Sequence, residues 1–538
     1  MESRPSPSST TQVAKSAGSV GVAVFCSRIL GLIREQVLAV MFGAGFAMDA
    51  FVVAFRIPNL LRDLFAEGAL STAFVTVFTD YDQNKGRAAT WRLANNVLLA
   101  LTLLLGLITL LGLFFSEEII RIMAPDFGKV PGKIALTQLL TNIMFPFLVL
   151  ISVAAVIMGI LNTRGVFFVP AMASTFFNVG SIVGGVGFAW LAPSFGQPPI
   201  VGMAMGTLIG GFLQMAIQMP SLKRAGFEWR PNLNLGDEGL RRIMILMIPA
   251  VIGLSATQIN VFINTNFAAR CAEGSVSWLN YAFRLMQFPI GMFGVAISIA
   301  ALPVISRQAA QGDTQGLKAT YVSSLVMAFL LTVPASFGLA FLAQPIIRLI
   351  FEHGRFNAAD TVHTAEALAF YAVGLFAYSS VKITVPVFYA LKDTKYPVLA
   401  SFLAVAANIL IVSQTLDIFQ HRAIALSTSV TMIFNFVFLS AVLYRKVGGY
   451  DLAYLVRSLL KITLASLAMG ALAYYFYRGL GEFWGRQNLI SQAATLIIVI
   501  AVAVPFYFTV IRLLGIREFG EVLDKLKGKL LKTPPVSD

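Results

Sequence analysis

The stretch 27–80, SRILGLIREQVLAVMFGAGFAMDAFVVAFRIPNLLRDLFAEGALSTAFVTVFTD, sets Arg28, Arg34, Arg56 and Arg62 in sequence otherwise apolar enough for a bilayer. On an ideal helix Arg34, Ser27, Gly31, Glu35 and Arg28 share an arc of roughly 120°. In the next helix Asp49, Arg56, Asp63 and Glu67 fall within roughly 40° of one another, with Pro58 expected to kink the run. Each helix therefore carries one polar stripe on an apolar cylinder. A charge at bilayer depth costs roughly 2.5–3.5 kcal/mol on insertion scales, so the arginines serve either a wet cavity or internal ion pairs. The local pairs on offer are Asp49 with Arg56, Arg28 with Glu35, and Arg62 with Asp63. They do not match every arginine with a carboxylate at helical spacing.

Working outward, the 538 residues are 57% hydrophobic and 12% charged, with a mean hydropathy of +0.78, which describes a polytopic membrane protein. Apolar spans fall at 18–42, 48–79, 93–116, 135–160, 166–192, 199–220, 243–267, 275–305, 319–346, 362–390, 396–415, 423–444, 452–477 and 489–514, so the sequence predicts an all-α fold of about 14 transmembrane helices. Residues 1–17 read as a disordered, polar N-terminus with no cleavage site after a short apolar run.

Orientation follows from the loop cations. With the N-terminus cytoplasmic, 24 Lys and Arg lie inside and nine outside, the nine being Arg121, Lys129, Lys133, Arg270, Arg348, Arg355, Arg422, Arg478 and Arg486. That bias predicts both termini inside. The net charge of +14 is then topology plus attraction to anionic lipid, with no nucleic-acid partner implied. The tail REFGEVLDKLKGKLLK reads as a basic amphipathic helix on the cytoplasmic surface.

The chain also repeats itself at an offset of 228 residues, which aligns Ser27 with Ser255, Ala54-Phe55-Arg56 with Ala282-Phe283-Arg284, and Ala73 with Ala301. An even number of spans per repeat makes the halves parallel, around a central cationic cavity to which Arg284 contributes. The predicted organisation is a six-helix repeat over 18–222, a cytoplasmic linker over 223–242, a second six-helix repeat over 243–446, two extra helices over 447–515 and a basic tail over 516–538.

Several chemistries are missing. The Gly-Lys pairs at 128–129, 132–133 and 528–529 are followed by Val, Ile and Leu, so there is no phosphate loop of the ATPase kind. GSIVGGVG (180–187) and GTLIGG (206–211) read as close helix contacts and not as a cofactor cradle. Cys26 and Cys271 are isolated, His353, His363 and His421 read as solvated loop residues, and Asp80 with Asp82 as a solvated pair; no cofactor and no metal site is expected. What remains is arginine in a greasy wall. Guanidinium forks suit phosphate oxygens and stay charged, so the residues alone imply an anionic amphiphile.

The runs SRILGLIRE (27–35), FGAGFAMDAF (42–51), FRIPNLLRDLFAEGALSTAF (55–74), GILNT (159–163), PSLKRAG (220–226) and GSVSWLNYAFRLMQFPIG (274–291) resemble the MurJ (MviN) family of lipid II flippases, within the multidrug, oligosaccharidyl-lipid and polysaccharide exporter superfamily. The resemblance extends to about residue 450. It implies a flippase and not an enzyme, moving undecaprenyl-diphosphate-linked lipid II across the bacterial inner membrane by alternating access. Membrane lipids and cell-wall synthesis proteins are the other expected partners, and the last two helices would border a lipid-facing groove. By that resemblance, Arg28, Arg34, Asp49, Arg62 and Arg284 occupy positions of charged residues needed for transport, and Arg56 stands where the family often has lysine. The candidate substrate residues are thus Arg28, Arg34, Arg56, Arg62 and Arg284, and the candidate transport-essential acids Asp49, Glu35 and Glu67. Phe283 and Gln287 stand where two acids are common in the family, so Arg284 has lost two possible local carboxylate partners. Where some relatives hold sodium, helices 7, 11 and 12 offer only neutral Gln258, Asn260, Asn408 and Asn435, which argues against a sodium site. The rival readings are a multidrug exporter of the same superfamily, disfavoured by an arginine-rich cavity, and a membrane transferase or phosphatase acting on polyprenyl phosphates.

Overall fold

The computed structural model describes the backbone of residues 7–484 and 488–530, and their side chains apart from 7–19, 66–69, 72, 482–484 and 525–530. The chain divides into two compact units on either side of the Ser277–Trp278 bond. The first holds α1 (Pro7–Phe42), α2 (Phe46–Arg62), a π-helical stretch Asp63–Leu70, α3 (Ser71–Asn84), α4 (Arg87–Phe114), α5 (Ser116–Met123), α6 (Lys133–Met144), α7 (Phe147–Thr163), α8 (Phe168–Leu191), α9 (Ile200–Ala216), α10 (Met219–Arg224) and α11 (Glu238–Ala269). Helix α12 (Ser275–Pro289) begins at the end of that unit. The second continues with a π-helical stretch Ile290–Gly294, α13 (Val295–Gln311), α14 (Thr314–Phe341), α15 (Ala343–Phe351), α16 (Ala358–Val373), α17 (Leu375–Ala390), α18 (Lys395–Phe419), α19 (His421–Lys446), α20 (Leu452–Trp484), α21 (Leu489–Leu513) and α22 (Arg517–Leu530).

The internal repeat is visible in these boundaries. The pair Arg87–Phe114 and Ser116–Met123 returns as Thr314–Phe341 and Ala343–Phe351, starting 227 residues later. The run α2, π-helix, α3 returns as α12, π-helix, α13. The compact units, however, divide later in the chain than the 223–242 linker, because α11 packs on α3 and on the first π-helical stretch.

Among the described residues, eleven helices are long and apolar enough to cross a membrane, or twelve if Ala358–Val373 and Leu375–Ala390, bent by 43°, form one span. The count of about 14 is therefore not reproduced by length and composition. The first two expected spans are the ones missing: every eighteen-residue window of the described side chains of α1 contains Arg28, Arg34 and Glu35, and the first part of the second span carries Asp49, Arg56, Arg62 and Asp63 in close succession.

Two further expectations are corrected. The N-terminal stretch 1–17 is not disordered throughout, since α1 already begins at Pro7. Proline suits a first helical position, and each residue added to an existing helix gains a hydrogen bond without the cost of nucleation. From Asp63 onward the backbone is π-helical, so the ideal α-helical arc calculated for Asp49, Arg56, Asp63 and Glu67 applies only as far as Asp63. The side chain of Glu67 lies outside the described residues.

Small residues work as the sequence suggests. A methyl group at Gly206 would sit 2.4 Å from the backbone N of Gly185, and one at Gly202 would sit 2.0 Å from that of Ala189, so α8 and α9 meet backbone to backbone. The first unit's core gathers Phe74, Phe78, Leu93, Leu105, Leu148 and Ile160 from α3, α4 and α7. In the second, α14 packs against α20 through Leu325, Phe329, Ile462 and Ala465, and Tyr507 of α21 donates its hydroxyl to the Leu330 carbonyl at 2.9 Å. Helix α22 docks by stacking Phe519 on Phe508 and by the Tyr454 hydroxyl donating to Glu518 at 2.6 Å. Large apolar side chains such as Leu107, Leu110, Phe114, Leu460 and Leu464 remain on the surface, where lipid tails solvate them.

Candidate functional site

Helix α1 lies along α8, and its polar stripe divides into two environments. Ser27 and Gly31 face Asn178, whose side-chain amide donates to the Ser27 carbonyl at 3.1 Å. One turn on, Arg34 donates to Glu35 at 2.9 Å and lies over the Phe177 ring at 5.3 Å, while its Nε is buried with no hydrogen-bond partner. Glu35 is buried. The expected pair of Arg28 with Glu35 is therefore not formed. Arg28 instead stands exposed beside Val24, Phe25 and Ile29, and makes no ion pair among the described residues. A guanidinium among apolar neighbours at bilayer depth is unfavourable unless an anion or water meets it.

On α2, Arg56 bonds the hydroxyl of Thr265 on α11 and not Asp49. Arg62 closes a fork on its neighbour, with Nε at 3.1 Å and NH2 at 2.8 Å from the same Asp63 oxygen, as the sequence predicts. Gln258 of α11 reaches the other Asp63 oxygen at 3.5 Å.

Asp49 belongs to a different arrangement. It is 2% exposed and pairs with Lys133 at 3.1 Å, a lysine that the loop count had assigned to the outer surface but that is itself buried. The carboxylate also accepts from the backbone of Gly274 at 2.9 Å and from Ser277, through the backbone N–H at 3.0 Å and the hydroxyl at 2.7 Å. Four donors on two oxygens satisfy a buried anion, and those at Gly274 and Ser277 cap the positive start of α12. The Lys133 ammonium sits 4.3 Å from the Phe127 ring centre. Sequence spacing could not find Lys133, because it lies 84 residues from its partner and opens a helix as a surface lysine would.

In the second unit Arg284 is exposed on α12, and Phe283 beside it packs between Tyr371 and Tyr378 at ring distances of 5.4 and 6.4 Å. Phe283 is thus part of an aromatic cluster where an acid was missed. Asn408, expected as a neutral remnant of a cation site, accepts the Ser427 hydroxyl at 2.5 Å. The histidine reading fails at His421, which is buried and bonded to the His363 carbonyl at 3.1 Å because the start of α19 packs on α16.

At the far ends of the first unit's helices, surface charges pair. Hydrogen bonds from Asn84 and then Arg242 hold Asp80 below the usual carboxylate range, and Glu238 raises Lys85. Asp82 pairs with Arg164 at 2.8 Å, so Asp80 and Asp82 are ion-pair partners of different helices and not a joint acidic site.

Residues 38–494 match the model of the family described as Lipid II flippase MurJ. The probable lipid II flippase MurJ of Buchnera aphidicola subsp. Acyrthosiphon pisum is 35% identical over 500 residues, 93% of this chain and 97% of that one. The probable lipid II flippase MurJ of Vibrio cholerae is 34% identical, covering 94% and 96% of the two chains. A solved lipid II flippase MurJ in an inward closed conformation superposes with a TM-score of 0.76 at 27% identity, over 92% of this chain and 98% of that one. An inward-facing multidrug resistance MATE family transporter shares the fold at a TM-score of 0.65 and 15% identity, over 78% and 95%.

Proposed function

The chain belongs to the lipid II flippase MurJ family, and from that premise we propose that Arg28, Arg34, Arg56, Arg62 and Arg284 bind the diphosphate of lipid II while its polyprenyl tail stays in hydrocarbon. The protein is a multi-pass membrane flippase and not an enzyme, and its part in peptidoglycan building follows from the lipid it moves. The observation that carries the substrate assignment is Arg28, an exposed guanidinium on an apolar helix face with no carboxylate partner among the described residues. A diphosphate supplies the missing anion and accepts the planar fork of donors.

The acids divide by role in this reading. Glu35 and Asp63 hold Arg34 and Arg62 in position, whereas Asp49 fixes the start of α12 against α2 and α6. Glu67 completes the transport-essential set by its place in the sequence. The protein sits in the bacterial inner membrane with both termini cytoplasmic, and works by alternating access.

Fluorescent lipid II in proteoliposomes containing only this protein should become accessible in the opposite leaflet; no gain over empty liposomes would contradict the reading. Orientation is tested separately in a background lacking Cys26 and Cys271. Cysteines placed at Gly45, Gln197 and Arg355 should react with an impermeant thiol reagent from outside, and those at Lys85 and Arg230 should not. The reverse pattern would overturn the topology.

A further inference from the structure

We propose that His363, Glu366 and His421 form a zinc site joining α16 to α19. The three donor atoms lie within 4.8 Å of one another. His363 and Glu366 are three residues apart on α16 and so share a helix face, with His363 Nδ1 at 3.6 Å from Glu366 Oε2. His421 opens α19 and brings Nε2 to 3.8 Å from the same oxygen. Two imidazoles and a carboxylate suit zinc, and three protein ligands leave a fourth position for water or an outside ligand.

What separates this cluster from a chance meeting of polar groups is its support. The two carboxylate oxygens have different tasks: Oε1 faces Arg422 NH1 at 3.5 Å, while Oε2 faces both imidazoles. Arg422 therefore orients the carboxylate without occupying the oxygen that would bind metal. The Trp278 ring stacks on His363 at 4.3 Å, and its own N–H is anchored on Asp360 at 2.9 Å, which fixes the imidazole plane. An outer contact such as that of Arg422 orients a metal-ligating carboxylate. His363 Nδ1 is buried and has no hydrogen-bond partner, so a ligating atom is available at no cost in existing bonds.

Zinc–donor bonds of roughly 2.0–2.2 Å demand donors closer together than they now stand. Glu366 is half-buried and can swing inward toward the two imidazoles. His421 is buried and must exchange its bond to the His363 carbonyl for the metal, carrying its remaining proton on Nδ1. Bound zinc would tie two helices of the second unit together, and this proposal stands whether or not the arginine assignment above does.

The test uses the untagged full-length chain in detergent, titrated with zinc chloride against a chromophoric zinc chelator, with Tm read in parallel. The expected result is one zinc per chain and a zinc-dependent rise in Tm. His363→Ala and Glu366→Gln should each weaken zinc binding at least tenfold and remove the Tm rise, while His353→Ala, whose ring bonds the Leu349 carbonyl elsewhere, should keep both. Absence of stoichiometric zinc binding by the wild type would overturn the proposal. So would wild-type affinity in either ligand variant, or an equal loss in His353→Ala. Glu366→Gln replaces a half-buried side chain with its near-isostere, so its result does not depend on removing the buried His421.

Discussion

In the first unit Lys133, at the start of α6, bonds Asp49 near the start of α2, whereas in the second Asp360, near the start of α16, takes the indole N–H of Trp278 near the start of α12. These are corresponding joints of the repeat, yet one buries an ion pair and the other a carboxylate held by neutral donors. Asp360 is also satisfied within its own helix, accepting from the backbone of Asn357 at 3.1 Å. The difference extends along the repeat: the first unit's stripe carries Arg28, Arg34, Arg56 and Arg62, while α12 carries Arg284 beside an aromatic cluster. The two copies share their helices and π-helical breaks, while four of these five arginines lie in the first.

The comparison can be broken at the joints. Asp49→Ala should cost about 3–5 kcal/mol, because it strands the Lys133 ammonium away from water. Lys133→Met should cost less, since Asp49 keeps the donors from Gly274 and Ser277. Denaturation of purified protein with both variants checks the order, and equal losses would mean that the ion pair is not the source of the asymmetry.

At the second joint, Trp278→Phe keeps a ring against His363 but removes the donor to Asp360. The expected loss is about 1 kcal/mol, the net value of one hydrogen bond to a carboxylate that retains other partners. A loss as large as that of Asp49→Ala would erase the proposed contrast between the units.

Smaller still are the surface pairs. In the second unit Lys446 bonds Asp393, and that bond holds the Asp393 carboxyl below its usual range. A lowered carboxylate pKa stabilises the fold above the unfolded value of about 3.9, and the benefit is lost as pH falls through the folded pKa. Asp393→Asn should therefore cost under about 1 kcal/mol at neutral pH and nothing once the carboxyl is protonated in both states. A melting series from pH 7 downward would show the two proteins converging; a gap that widens in acid would contradict the assignment.

Much of this was legible in the sequence because it rests on spacing. The 228-residue offset and the glycine contacts are periodic or local features, and each has its counterpart in the fold. The partners were not legible. Helical spacing joins Arg28 to Glu35 and Asp49 to Arg56, but long side chains fold back on their own turn, so Arg34 takes Glu35, and Asp49 is claimed by a lysine 84 residues away. The π-helical stretch at Asp63 changes the register that the arc calculation assumed. His421 reads as a loop residue until α16 is packed against it.

The central claim is that the unmatched arginine of α1 binds the diphosphate and is not scaffold. Leaflet accessibility of fluorescent lipid II should be measured in proteoliposomes with wild type, Arg28→Ala, Arg28→Lys and Arg28→Ala combined with Glu35→Ala, at matched protein content. The account predicts loss of at least about tenfold in Arg28→Ala, partial recovery in Arg28→Lys because lysine lacks the fork, and no recovery in the double variant, since Glu35 pairs with Arg34. Wild-type flipping by Arg28→Ala, or rescue by removing Glu35, would contradict it.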